Sequence, residues 1–291
     1  EELIMLQHLE KKNVTMLPGL FRERMLVNRN YLLELGTQEL LQNYYLEAGI
    51  VMPDLQVLEK PETAKLHWGW EAPTCQLRGH FLGHWLSAAS SLIASENDAA
   101  LKAKLDEIIS ELARCQELNG GEWIGPFPEK YFTRLEKELD IWSPQYVMHK
   151  LIMGLTHAYL YADNEQALTI VRHLADWYIR WTEKVQSTNP HAVYSGEESG
   201  MLEMWAQLFE TTKDPVYETL ASRYSNPSLF HNLSEGKDAL TNCHTNSSIP
   251  WAHGAARMYE VTGDEKYKTI VELFWKCAVT DRGYFCAGSA N

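Results

Sequence analysis

The sequence predicts an all-α protein assembled from stacked helical hairpins, and three observations predict it. Ten segments carry apolar residues at helical spacing, one block recurs after fifty residues, and no stretch alternates convincingly between apolar and polar. The segments run over 21–35, 38–47, 78–95, 98–118, 144–162, 165–184, 199–211, 214–225, 250–262 and 264–279. In the fourth, Leu101, Leu105, Ile108, Ile109 and Leu112 form one stripe, and Asn119-Gly120-Gly121 supplies the stop. Pro144 and Pro250 stand where a first helical turn is expected, since proline lacks an N–H that would have no partner there. Only Tyr284–Ala287 reads as extended.

The recurrence sets the architecture. Leu208 through Tyr217 realigns on Met258 through Tyr267, and stepping back by the same interval puts Tyr159 and Asn164 on Phe209 and Asp214. Each copy reads as helix, short turn with an Asp or Asn cap, then helix, with a more divergent copy turning at Ser95–Asp98. Tetratricopeptide and HEAT units are shorter, roughly 34 to 47 residues. An insertion at 119–143 carries Trp123, Phe127, Tyr131, Phe132 and Trp142, as connections around a central cleft would. The expectation is an α/α toroid of the (α/α)6 type rather than an open solenoid, incomplete, with about ten of twelve helices. It is read as one domain over 1–291, truncated at its C-terminal side, because the chain starts without Met and both ends read as cuts.

Composition narrows the function classes. With 291 residues the chain can bury a core without staples, and 45% hydrophobic with 22% charged residues is globular. No apolar run is long enough to span a bilayer, so no membrane role is expected. Twenty-six basic against thirty-nine acidic residues give a net charge of −13 without a basic stripe, which argues against a nucleic-acid partner. The 10 Trp and 14 Tyr, set among acidic groups, suit a sugar-handling cleft of flat rings and carboxylates. Five scattered cysteines with no C-x-x-C pair favour a reducing compartment, hence the cytoplasm.

Four constellations carry candidate chemistry. In Arg78-Gly79-His80-Phe81-Leu82-Gly83-His84-Trp85, His80 and His84 share a helix face. They read as two histidines satisfied at a packed helix end, as a pair for sugar hydroxyls, or as metal ligands, although Phe81 breaks the H-E-x-x-H pattern. Gly79 and Gly83, also four apart, point to a close helix contact. In Trp142 through Lys150, Tyr146 and His149 lie three apart near a helix start, either half-buried or projecting into a cleft. Glu197-Glu198 precede a helix between Gly196 and Gly200, as dipole-favoured caps or as a tight exposed turn at a site. The fourth, Leu240 through Pro250, gathers Asn242, Cys243, His244 and Asn246, a plain polar loop or a set that orients a polyhydroxylated ligand. Walker, G-x-G-x-x-G and G-x-S-x-G signatures are missing.

Taken in order, Leu77–Ala88, Tyr146–Gly154 with His149-Lys150, Gly200-Met201-Leu202-Glu203, Leu240–Pro250, Gly254–Asp264 and Tyr284–Asn291 resemble the bacterial enzymes of glycoside hydrolase family 127, the β-L-arabinofuranosidase group. The resemblance runs from about Phe21 to the end. It implies an (α/α)6 catalytic toroid and a retaining mechanism with a zinc-bound cysteine nucleophile and a glutamate acid/base. In the family these groups lie just after and beyond the stretch matching Tyr284–Asn291, so no catalytic or zinc-binding residue is carried onto this chain. What is carried over is the sugar-facing set His80, His84, Tyr146, His149, Glu198 and His244, with a carbohydrate as partner. Glu198 stands where many relatives have His, and Ser199 where many have Gly. The expectation is a glycosidase whose zinc belongs to the intact protein, the chain alone being inactive. Two other readings stay open: another toroid sugar enzyme (epimerase, lyase or unsaturated-uronyl hydrolase), or a non-enzymatic helical-repeat scaffold.

Overall fold

A computed structural model describes residues 9–51 and 66–283. Twelve α-helices occur among them, and no strand. They are α1 (Leu20–Glu34), α2 (Thr37–Glu47), α3 (His80–Glu96), α4 (Ala99–Leu118), α5 (Lys130–Glu136) and α6 (Pro144–Ala162). The rest are α7 (Glu165–Thr188), α8 (Met201–Thr212), α9 (Pro215–Tyr224), α10 (Ser228–Ser234), α11 (Thr245–Thr262) and α12 (Glu265–Trp275). All ten expected helices are present. The two short additions, α5 and α10, bury only Phe132, Leu135, Phe230 and Leu233, too few residues to show a helical period.

The expected turn chemistry recurs four times. Asn97, Asp163, Lys213 and Gly263 each end a helix in the left-handed conformation, at φ 52°, 51°, 58° and 70°. An Asx residue follows each. Asp98 accepts from the N–H groups of Ala100 and Leu101 at 3.1 and 3.0 Å, Asn164 from Ala167 at 2.9 Å, Asp214 from Val216 at 3.0 Å and Asp264 from Lys266 at 2.9 Å. A left-handed residue turns the last carbonyls of one helix aside, and the cap satisfies the first N–H groups of the next. At the two most similar copies even the preceding hydroxyls match: Thr212 and Thr262 accept from Asp214 and Asp264, both at 3.2 Å.

The chain divides into two units, the first comprising residues up to 127 with 150–171, the second 128–149 with 172 onward. In the first, α2 and α3 pack on α4 around Leu41, Leu82, Leu86, Leu101, Leu105, Ile108, Ile109 and Leu112, all buried. Lys104 donates to the carbonyls of Leu32 and Leu33 at 3.2 and 3.0 Å and also to Leu35, satisfying the end of α1. The close contact expected at Gly83 is present: a Cβ there would lie 2.0 Å from the carbonyl oxygen of Lys150 on α6. Gly79 is different. It precedes α3 at φ 88°, so the helix begins at His80 and not at 78. The reason is local, because a left-handed residue cannot continue a right-handed helix.

In the second unit, α8 packs on α9 and α11, α11 on α12, and α12 on α10, around Trp205, Tyr217, Leu220, Tyr224, Phe230 and Leu233. Phe132 of α5 meets Trp177 and Trp181 of α7 edge-on, each with ring centroids 4.9 Å apart. Much of the aromatic content of the 119–143 insertion is therefore core, Trp123, Phe127 and Phe132 being buried while Trp142 is exposed. Pro250 is a second correction. It lies inside α11, which starts at Thr245, because the backbone carbonyl of His244 already accepts from the N–H groups of Ser247 and Ser248 at 3.2 and 3.0 Å. The extended reading at Tyr284–Ala287 lies outside the described residues.

The non-glycine turn residues make a test of the repeat. An L-residue in the left-handed region costs roughly 1 kcal/mol that glycine avoids. Lys213→Gly, copying Gly263, is expected to raise the urea midpoint by about that energy at unchanged slope, and Gly263→Lys to lower it.

Candidate functional site

Two polar clusters hold five of the six expected site residues, one cluster in each unit. In the first unit the start of α3 is organised by a carboxylate that sequence reasoning missed. Glu71 accepts from the N–H groups of Gly79 and Phe81 at 2.6 and 2.9 Å, and its Oε1 lies 2.7 Å from Nδ1 of His80. Burial alone would raise this carboxyl. The hydrogen bond from His80 and the two backbone donors outweigh it and hold Glu71 below the usual carboxylate range.

Nδ1 of His80 also faces the carbonyl oxygen of Leu77 at 3.0 Å. Both neighbours are acceptors, so Nδ1 carries a hydrogen. In the neutral ring Nε2 is then the acceptor, suited to a hydroxyl donor. The His84 ring lies edge-on at 5.9 Å from that of His80. Burial pushes its pKa down to about 4, helped by the charge of Lys150 and by His80. His84 is thus neutral over the physiological range and offers one donor and one acceptor.

In the second unit the first turn of α6 is pinned to the segment before α8. Gln145 donates to the carbonyls of Ala192, Val193 and Ser195 at 3.3, 3.0 and 2.6 Å, and its own oxygen accepts from Tyr224 at 2.6 Å. The N–H of Tyr146 donates to the carbonyl of Gly196 at 3.1 Å. This knot brings Tyr146, His149 and the Gly196–Gly200 turn together. A Cβ at Gly200 would sit 2.3 Å from the His149 ring, so the absence of a side chain there is what seats the imidazole.

Of the paired carboxylates, Glu197 is exposed at a left-handed φ of 58°, and Glu198 is only 6% exposed. Burial pushes Glu198 up to about 7, its own backbone N–H relieves part of that, and the charge of Glu197 adds to it. Burial and then Glu197 also raise the phenol of Tyr146. Glu198 therefore remains an uncharged acid, a hydrogen-bond donor, between the ordinary value of 4.5 and about pH 7, where other glutamates are ionised.

His244 belongs to neither cluster. It is exposed at the start of α11, and its described contacts are made by its backbone. The signal for Glu71 was a lone acid in Trp68-Gly69-Trp70-Glu71, which has no period and no partner nearby in sequence.

A family-127 zinc needs clustered thiolate and carboxylate ligands. Among the described residues no group of three or more His, Cys, Asp and Glu side chains is placed to hold a metal. The free cysteines Cys75, Cys115, Cys243 and Cys277 lie on separate elements, and Cys286 lies outside the described residues. The donor set here does not fit that ion. Nor is any helix among these residues long and apolar enough to cross a membrane.

Twelve helices without a strand among the described residues make an all-α protein of the α/α-toroid type, and comparison with known proteins agrees. The model of the β-L-arabinofuranosidase GH127 catalytic domain matches residues 13–291, and the chain belongs to that family. Among solved structures it is similar to a GH127 β-L-arabinofuranosidase from Geobacillus stearothermophilus T6, at 15% identity and a TM-score of 0.58. That similarity covers 91% of this chain and 45% of the other, so the chain spans less than half of that relative's length. No curated protein matches it.

Glu198 makes the site's pH behaviour testable. Its folded pKa, about 7, exceeds the ordinary 4.5, so the native state holds a proton that the unfolded chain has released between those values. Stability contributed by this group is present below pH 4.5 and lost as pH rises to 7, by on the order of 3 kcal/mol. Glu198→Gln is expected to flatten that slope in urea titrations between the two pH values. A Gln variant with the parent's slope would show that another group carries the proton.

Proposed function

We propose that the chain is part of the catalytic domain of a glycoside hydrolase that acts on β-L-arabinofuranosides with retention, and that it supplies sugar-binding groups. The observation carrying this is the preorganised, uncharged hydrogen-bonding set on the family's fold. His84 is neutral, His80 is held in one tautomer, and Glu198 is protonated up to about pH 7. Such groups match a neutral polyol, whose hydroxyls each donate and accept.

In this reading residues 1–291 belong to one toroid domain. Sugar contacts are assigned to His80 and His84 in the first unit and, in the second, to Tyr146, His149, Glu198 and, from its exposed position before α11, His244. No residue of the chain is assigned as the cysteine nucleophile, the glutamate acid/base or a zinc ligand. The chain alone then binds without hydrolysing. The four free cysteines among the described residues support the reading of a reducing, cytoplasmic setting.

One observation favours a second reading. A buried glutamate with a pKa near 7 has the proton affinity of a general acid, so Glu198 could itself transfer a proton in a zinc-independent toroid enzyme such as an epimerase, lyase or uronyl hydrolase.

Two measurements separate these. Calorimetric titration of the full chain with methyl β-L-arabinofuranoside is expected to show binding, weakened about tenfold or more by His149→Ala. Turnover by the chain alone, resistant to chelator and lost in Glu198→Gln, would replace the first reading by the second. Gly200→Ala is expected to weaken binding in the same way by displacing the imidazole, while the thermal midpoint of the chain falls by only a few degrees.

A further inference from the structure

Residues 67–71, of which only Glu71 has entered the proposed chemistry so far, form a well-held surface segment in the first unit. The buried amide of Gln42 accepts from the N–H of His67 at 2.8 Å and donates to the carbonyls of His67 and Glu71 at 2.8 and 2.9 Å. The amide of Asn43, equally buried, donates to the same Glu71 carbonyl at 2.9 Å and to its carboxylate at 3.3 Å. With the two backbone donors of Gly79 and Phe81, the segment is tied at both ends, and a 3-10 turn over Gly69–Glu71 closes it.

What this scaffold displays is aromatic. Trp68 and Trp70 are 59% and 62% exposed, whereas Trp85, on the adjoining helix, is buried. Water solvates an indole face poorly, so large exposed indoles on fixed backbone mark a surface for binding. The neighbour tells what kind. The ring of His80 lies 6.2 Å from that of Trp70, tilted by 59°, and Glu71, next in sequence to Trp70, is the group that fixes the His80 tautomer. An apolar plate beside a polar acceptor suits a ligand with a C–H face and hydroxyl edges, which is a sugar ring. A purely apolar partner would leave that imidazole desolvated.

We propose that the 67–71 segment is a carbohydrate ledge, in which the indole of Trp70 stacks on the apolar face of a sugar ring while His80, held by Glu71, takes a ring hydroxyl. Glu71 is in this account a positioning residue. The proposal rests on the carbohydrate reading above and adds the surface that reads the ring.

The test is equilibrium titration of the full chain with methyl β-L-arabinofuranoside and with an L-arabinofuranosyl disaccharide, followed by indole fluorescence. Trp70→Ala is expected to weaken binding about tenfold, the scale of one aromatic contact, and Trp70→Phe to restore part of it. An unchanged thermal midpoint shows that the exposed substitution leaves the fold alone. Glu71→Gln is expected to weaken binding too and to alter its pH profile, which a purely structural role would leave in place. Trp70→Ala binding as tightly as the parent would overturn the ledge alone and leave the family reading standing. A parent chain that binds neither sugar would overturn both.

Discussion

The constraint on which the rest depends is the hairpin turn: one residue in the left-handed region, then an Asx side chain that caps the next helix. A helix end leaves up to four carbonyls and a helix start four N–H groups without intrahelical partners. The turns after Glu96, Ala162, Thr212 and Thr262 satisfy both with a two-residue device. Three of the four put an L-residue at positive φ, an energetic cost borne by the native fold. Asp98 and Asp214 also take a second load. Arg29 pairs with Asp98, and Arg172 lies 2.7 Å from Asp214, so a cap that orders a turn also ties it to a neighbouring helix. The caps order the turns, the turns set helix against helix, and only then do side chains distant in sequence meet.

This explains what the sequence made legible. A cap and a repeat are local signals: the fifty-residue recurrence and the Asx residues are readable without knowing what packs on what, and the turns follow them closely. Gly83 was readable too, since a close helix contact needs a missing side chain on one face. Boundaries set by a competing backbone bond were not. His244 starts α11 because its carbonyl takes two N–H groups, and proline at position 250 then sits where only one intrahelical bond is forfeited. The site was half legible. Tyr146 and His149 were grouped by helical spacing, but Glu71 and Gly200 act through contacts with no sequence period, and Gly200 shows its purpose only once the imidazole lies against it.

The two buried carboxylates show why residue type alone could not assign roles. Glu71 and Glu198 are both acids withdrawn from water next to a helix start. Glu71 is met by Nδ1 of His80 and two backbone N–H groups, and those donors favour the charged form over the penalty of burial. Glu198 has its own N–H for relief and Glu197 as a neighbour, and burial prevails. The donor count around each carboxyl reverses its state, so the first fixes an imidazole as a charged acceptor and the second serves as a neutral donor.

That electrostatic pattern bears on the kind of ligand. A uronate or other anionic sugar approaching Tyr146, His149 and Glu198 would bring its carboxylate toward Glu197, which already raises Glu198 and Tyr146 through its charge. Each added negative charge would push Glu198 further toward its protonated form and add the repulsion of Glu197 to the cost of binding. A neutral furanoside, the ligand proposed above, would meet neither penalty, and below about pH 7 a hydroxyl would find the protonated carboxyl of Glu198 as a donor. Within the second unit the charge of Glu197 beside Glu198 and Tyr146 thus supports the proposed reading of an uncharged sugar over an anionic one.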